Sequence, residues 1–316
     1  MGFPGSGKKF VESENFKFIQ SRWDHYRECP ADYVQEIILP DRPDKVELLP
    51  YQADILDTVA KYDWVCFQGA NGIGKDAITA WILEWYLMTH PFSRIPCTSG
   101  VNRQIKDILF AEVHKWSSYS RMAHAMKLMD IAVRVKGAEK SWFSLGFTAK
   151  EGAEGEAESK AEGFHADYLL YIITEAKAVP QYIWTAVYKA CTKANNKIFA
   201  QSVPGIEYGE FHRVCTSSRE TWTKMRFPAA KKVEREDGVV EYIPSTPLVS
   251  QKSIDEKFLK GEDSPDFQAS VLANFLKQSQ DSLIPLSWAR HACERTITID
   301  ESDKVAYGVD VARFGS

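Results

Sequence analysis

The stretch Phe67-Gln68-Gly69-Ala70-Asn71-Gly72-Ile73-Gly74-Lys75-Asp76 constrains this chain more than any other. It follows a short apolar run, Trp64 to Phe67, and precedes a helical pattern from Ala77 to Met88. A strand, a glycine loop and a helix in that order are the setting in which G-x-x-x-x-G-K cradles the phosphates of a nucleotide. Backbone N–H groups of Gly69, Ala70, Asn71, Gly72, Ile73 and Gly74 would face the phosphate oxygens, and Lys75 would reach the β- and γ-phosphates. One position departs from the pattern. The Ser or Thr that follows the lysine and ligates Mg²⁺ is here Asp76. A second match, Gly2 to Lys9, has no strand before it and contains Pro4, so it reads as a chain terminus.

Downstream, apolar strands alternate with helices. Leu49–Lys61 reads as a helix, Ile95–Ser99 as a strand and Gln104–Ser117 as an amphipathic helix. Tyr168 to Ile173 is a continuous apolar run, the mark of a strand buried on both faces. A helix over Tyr182–Cys191 and a strand over Lys197–Ser202 follow. This predicts an α/β fold with a central, mainly parallel sheet flanked by helices. Residues 1–45 read as an N-terminal extension, 46–228 as the P-loop core, and 229–300 as a small linker or lid subdomain. That subdomain holds a hairpin around Gly238 and helices over Ser253–Leu259 and Pro265–Leu276. The segment Gly146–Gly163 is rich in Gly, Ala and Glu and reads as a mobile loop.

The apolar run ends in Thr174-Glu175-Ala176. In P-loop ATPases such a strand ends in an Asp for Mg²⁺ and a Glu that polarises the attacking water. Glu175 fills the second place, and Thr174 stands in the first. The two departures are complementary: the helix position has exchanged a hydroxyl for a carboxylate, and the strand position the reverse. Asp76 and Thr174 together would still offer one Mg²⁺ a charge and a hydroxyl, both hard oxygen donors. Upstream, Gln52 could read adenine through its amide while Tyr51 stacks on the ring.

Composition narrows the setting. The 316 residues are 44% hydrophobic and 26% charged, with no apolar run long enough to span a bilayer and so no expected membrane partner. Six scattered cysteines without C-x-x-C spacing argue against a disulfide scaffold and for a reducing cytosol. A net charge of −4 gives no global drive toward nucleic acid, so DNA contact must be local. The densest basic set is Lys193, Lys197, Arg213, Lys224, Arg226, Lys231 and Lys232.

Taken in order, several motifs resemble the large terminase subunits of tailed bacteriophages. They are Tyr51-Gln52, the Gly69–Lys75 loop, Gly163-Phe164-His165-Ala166, the Leu169–Ala176 strand, and Ser202-Val203-Pro204-Gly205 with Gly209 and Phe211. The tail adds Pro265-Asp266-Phe267 to Phe275, Ile284-Pro285, and Tyr307-Gly308-Val309-Asp310-Val311-Ala312-Arg313-Phe314-Gly315. The resemblance implies the ATPase portion of a motor that pumps double-stranded DNA into a capsid, using ATP and Mg²⁺ in the cytoplasm of the infected host. It implies a portal protein, a small terminase subunit and a homo-oligomeric ring as partners. Within it, Lys75 and Glu175 would be catalytic and Ser202 would couple the γ-phosphate to DNA grip. The core would be of the additional-strand, catalytic-glutamate type. An arginine finger is implied too, with Arg103, Arg121 and Arg134 as candidates. Residues 301–316 would be the first strand of a ribonuclease-H-like nuclease, with Asp310 as its first carboxylate and no DNA cleavage expected from so incomplete a site. The rival expectations are a nucleotide-binding assembly protein with weak or absent turnover and a helicase-like DNA translocase.

Overall fold

The computed structural model describes residues 22–148, 162–217, 220–235, 240–277 and 292–295. The chain divides into a compact unit ending at Leu276 and a second from Lys277 to Ser316; the elements described belong to the first. Asp310, the expected strand from Val305 to Val311, the Gly2–Lys9 match and most of the acidic Gly146–Gly163 segment lie outside the described residues.

The sheet is built from β1 (Trp64–Gly69), β2 (Arg94–Ser99), β3 (Met126–Met129), β4 (Ala132–Val135), β5 (Phe143–Thr148), β6 (Leu169–Thr174), β7 (Asn196–Ser202) and β8 (Thr223–Phe227). Among the described residues these eight strands lie in the order β3-β4-β5-β2-β6-β7-β1-β8. From β5 to β8 every neighbour is parallel, and β3 and β4 add an antiparallel edge. The continuous apolar run reads out as expected, since all six residues of β6 are buried. One strand, β7, separates β6 from β1. That spacing is the additional-strand arrangement, and it sets the carboxyl ends of β1, β7 and β6 side by side.

Helices α1 (Trp23–Glu28), α2 (Pro30–Tyr33) and α3 (Pro50–Lys61) pack against α4 (Lys75–Thr89), the helix that follows the glycine loop. A π-helical stretch, Val34–Ile38, continues α2. The α4 helix is buried around almost its whole circumference, because Tyr26, Tyr33, Val34 and Ile37 pack into the same core. The Trp85 indole donates to the Tyr26 carbonyl at 2.6 Å, which ties α4 to α1. The remaining helices are α5 (Ala111–Ser117), α6 (Gln181–Ala190), α7 (Gly209–Thr216), α8 (Gln251–Phe258) and α9 (Pro265–Ser270). A hairpin of β9 (Ala230–Glu234) and β10 (Val240–Pro244) flanks the predicted turn.

Three expectations need correcting. The predicted helix over Gln104–Ser117 is a π-helical stretch, Gln104–Phe110, running into α5. The predicted helix over Pro265–Leu276 stops at Ser270: Ala273 takes φ of +51°, and Leu276 bridges to Ile206 as a parallel partner. The backbone there is held by the link between Phe227 and Ala230, where Ala229 N–H donates to the Val271 carbonyl at 2.7 Å. Strands β3, β4, β5 and β8 have no counterpart in the sequence reading, and β5 runs to Thr148, into the start of the segment read as a loop. In β8, half-buried residues alternate with exposed Lys224 and Arg226, leaving no apolar run to read.

Candidate nucleotide site

The glycine loop is shaped by backbone that most residues cannot adopt. Gly72 and Gly74 have φ of +76° and +74°, and Gly74 caps α4 in the left-handed region. At Gly69 a Cβ would lie 2.8 Å from Lys75 Cδ, so this glycine lets the lysine stem fold beneath the loop. The loop is anchored at its entry, where Ala70 N–H donates to the Phe227 carbonyl at 3.0 Å and Asn71 N–H to the Ser270 carbonyl at 2.8 Å. Among the described residues, no backbone acceptor outside the helix pairs with the N–H groups of Gly72, Ile73, Gly74, Lys75 or Asp76. These donors stand at the N-terminus of a 15-residue helix, a position suited to an anion.

Tyr51 and Gln52, the adenine candidates, brace this loop. The Tyr51 hydroxyl donates to the Ile73 carbonyl at 2.7 Å, and one face of its ring is covered by Phe227 at 3.9 Å. Gln52 Oε1 accepts from Leu49 N–H at 3.0 Å, closing the start of α3. Its Nε2 lies 3.2 Å from where a Gly74 Cβ would be. Gln52, Gly72, Gly74, Lys75, Asp76 and Trp116 all line one cleft of about 390 Å³.

Lys75 is buried, and its Nζ donates to the Ala70 carbonyl at 2.7 Å. Burial lowers its pKa, against which the charges of Glu175 and Asp76 push it back up. Burial also raises Asp76, with Lys75 opposing and Glu175 adding to the rise. Glu112 contributes further negative charge there. Asp76, Glu175 and Glu112 thus gather here against Lys75 and the Lys115 that pairs with Glu112 at 3.2 Å.

The strand ends supply the rest. Thr174 is opposite Gln201 in the β6–β7 register, and Gln68 is opposite Ser202 in the β1–β7 register. Thr174 is buried, and its Oγ1 makes no hydrogen bond among the described residues. Gln201 Oε1 is likewise buried and unpartnered, while its Nε2 reaches Asp76 Oδ1 at 3.5 Å. Glu175, directly after β6, takes φ of +46°, a strained conformation for a non-glycine residue. Its Oε2 lies 3.2 Å from the Ser202 hydroxyl, whose single proton the Val203 carbonyl also accepts at 2.8 Å, so the carboxylate sits beside the end of β7.

Lys75, Asp76, Glu175 and Ser202 are thus linked by charge and hydrogen bonds, and Thr174 lies next to Glu175 in sequence and opposite Gln201, which reaches Asp76. Sequence reasoning missed Gln201 and Glu112. Gln201 carried a readable signal, a polar amide directly after the apolar residues Ile198-Phe199-Ala200 of the same strand. Glu112 carried none, since it sits on an ordinary helix face. Of the arginine candidates, Arg121 pairs with Asp41 at 3.3 Å and Arg134 donates to the Glu139 carbonyl. Arg103 is exposed at the start of the π-helical stretch. The basic set does not form one free patch. Lys193 pairs with Asp167, Arg213 with Glu210 and Lys232 with Glu262, while Lys197, Lys224 and Arg226 donate to backbone carbonyls.

Sheet order, glycine loop and strand-end acids define a P-loop NTPase fold. In sequence, the chain is 27% identical over 267 residues to a probable terminase large subunit of Enterobacteria phage P7, covering 79% of this chain and 50% of that protein. Its fold superposes on the large terminase of bacteriophage HK97 with a TM-score of 0.59 at 14% identity, over 79% of this chain and 55% of that one. The large terminase of a thermophilic bacteriophage, solved with ADP, gives 0.54 at 10% identity, over 73% and 54% of the two chains. No family model matches the chain. The resemblance to phage large terminase subunits thus holds in both sequence and fold. The chain spans about half the length of the curated relative it matches.

Proposed function

We propose that this chain is an ATP-hydrolysing motor portion of a DNA-packaging terminase. The observation that carries the reading is the meeting of Lys75, Asp76, Glu175 and Ser202 where the glycine loop adjoins the ends of β6 and β7. Lys75 and the free amides of Gly72 to Asp76 hold the phosphates. Glu175, beside Ser202, accepts a proton from the attacking water. Ser202 contacts that carboxylate from β7, so a change at the phosphates reaches the rest of the sheet. Gln52, beside the cleft, contacts the base.

The donors present fit Mg²⁺. Asp76 is a half-buried carboxylate that feels the charges of Glu175 and Glu112, and Thr174 Oγ1 is a buried hydroxyl without a hydrogen-bond partner among the described residues. In this reading Asp76 and Thr174 hold the ion in the exchanged arrangement, with Gln201 steadying Asp76. When bound, Mg²⁺ neutralises the charge that develops on the transferred phosphoryl group.

The same reading extends to double-stranded DNA as the cargo and to a ring of copies docked on a portal protein with a small subunit. A motor needs only a few phosphate contacts per subunit, and Lys231, exposed on β9, is one residue of the basic set left for such a role. Asp310 would open a nuclease site in the second unit. The test is steady-state ATP hydrolysis with and without duplex DNA. The native chain is expected to turn over and to respond to DNA, whereas Lys75→Ala drops at least about a hundredfold, ~2.7 kcal/mol in barrier terms. Equal rates for the two proteins would leave only an assembly role.

A further inference from the structure

At the opposite end of α3 from Tyr51 and Gln52, three side chains with metal-ligand chemistry converge. The α1 helix ends at Glu28, and Cys29 leaves helical geometry with φ of −122° and ψ of 74° before Pro30 starts α2. The junction is tight: Cys29 N–H donates to the His25 carbonyl at 2.8 Å. His25 lies one turn before Cys29 and Asp32 one turn after it, so all three face the same side. Their ligand atoms lie within 4.8 Å of one another. His25 Nε2 and Asp32 Oδ2 are already 2.6 Å apart, and both side chains are solvent-accessible, so an ion could enter.

We propose that His25, Cys29 and Asp32 form a binding site for a zinc-class divalent cation. Tetrahedral ligands at the usual Zn–N, Zn–O and Zn–S bond lengths stand about 3.3–3.8 Å from each other. Reaching that spacing means opening the His25–Asp32 contact from 2.6 Å, with all three ligand atoms already within 4.8 Å of one another. Water completes the fourth position. An imidazole, a thiolate and one carboxylate select Zn²⁺ or Co²⁺ over Mg²⁺, which separates this site from the nucleotide site.

The surroundings favour a cation there. Asp57 on α3 accepts from Ala31 N–H at 3.3 Å, beside the cluster. An ion bound by His25, Cys29 and Asp32 would have the Asp57 carboxylate nearby and would fasten the α1–α2 junction beside α3. Because α3 leads directly into β1, the site would brace the glycine loop from behind.

The test is titration of the whole chain with Co²⁺ in excess Mg²⁺, followed by absorption spectroscopy. One equivalent should produce a thiolate-to-cobalt charge-transfer band that Zn²⁺ then abolishes. Cys29→Ser should lose the band, and His25→Ala and Asp32→Asn should each weaken binding at least about tenfold. Lys75→Ala should bind Co²⁺ as the native chain does. Asp32 is at the surface, so Asp32→Asn reports on the ligand rather than on folding. No band in the native chain, or a band that survives Cys29→Ser and so comes from another cysteine such as Cys293, overturns the proposal.

Discussion

Asp76 and Thr174 pose a question that single substitutions cannot answer. If they share one ion, the loss at each depends on the other. Asp76→Ser and Thr174→Asp are each expected to lower ATP turnover by at least about tenfold, ~1.4 kcal/mol, and the double variant to recover most of it. A double variant no better than the worse single shows that the two positions are independent. Both positions were legible in the sequence, because a P-loop motif states which chemistry belongs at each step and a departure stands out. Gln201 and Glu112 belong to no motif, so only the β6–β7 register and the packing of α5 bring them in.

Among the elements, α4 was legible as a helix over Ala77–Met88, but its burial was not: it is covered by sheet, α1 and α2 at once and has no single apolar stripe that would name a covering partner. Its Glu84 is fully buried and accepts from Ser117 at 2.6 Å, from Ser120 and from Tyr33 at 3.4 Å. Burial outweighs those hydroxyls and raises the carboxyl above its ordinary value of 4.5. The sign follows from proton linkage. Above pH 4.5 the folded chain binds more protons than the unfolded one, so stability falls as pH rises toward the folded pKa. Glu84→Gln should therefore raise the melting temperature at neutral pH and flatten that fall on thermal scans across pH. A neutral variant less stable at pH 7 than the native chain refutes a raised Glu84. Short elements were harder still. The end of α9 is set by tertiary bonds to the loop, and no local signal marks Ser270 as its last turn.

At the scale of the molecule, the hairpin and last helices are not an appendage to the phosphate loop. Tyr242, Phe258 and Phe267 form a ring cluster, with Phe267 edge-on to Tyr242 at 4.9 Å. The same α9 supplies the Ser270 carbonyl to Asn71, and Gln68 Nε2 reaches the Ala273 carbonyl at 2.5 Å. Phe267→Ala is expected to cost about 3–5 kcal/mol in chemical denaturation. It should also weaken nucleotide binding by calorimetry, because the loop loses its anchor. Unchanged affinity at that stability loss means the loop holds itself. The mainly parallel sheet follows from alternating apolar strands and helices, whereas the strand order and this anchoring join residues far apart in the chain and leave no trace in any window of sequence.

The lysine resting on Ala70 has a consequence for discrimination. Its ammonium group is not waiting in solvent: a loop carbonyl already holds it, as a built-in competitor for any arriving ligand. That carbonyl offers only a dipole, while a polyphosphate offers full charge in a buried setting, so the exchange runs downhill for an anion of high charge and is level for a neutral or weakly charged one. A loop built this way would favour visitors of high negative charge, while the Ala70 carbonyl holds the lysine apart from the neighbouring carboxylates.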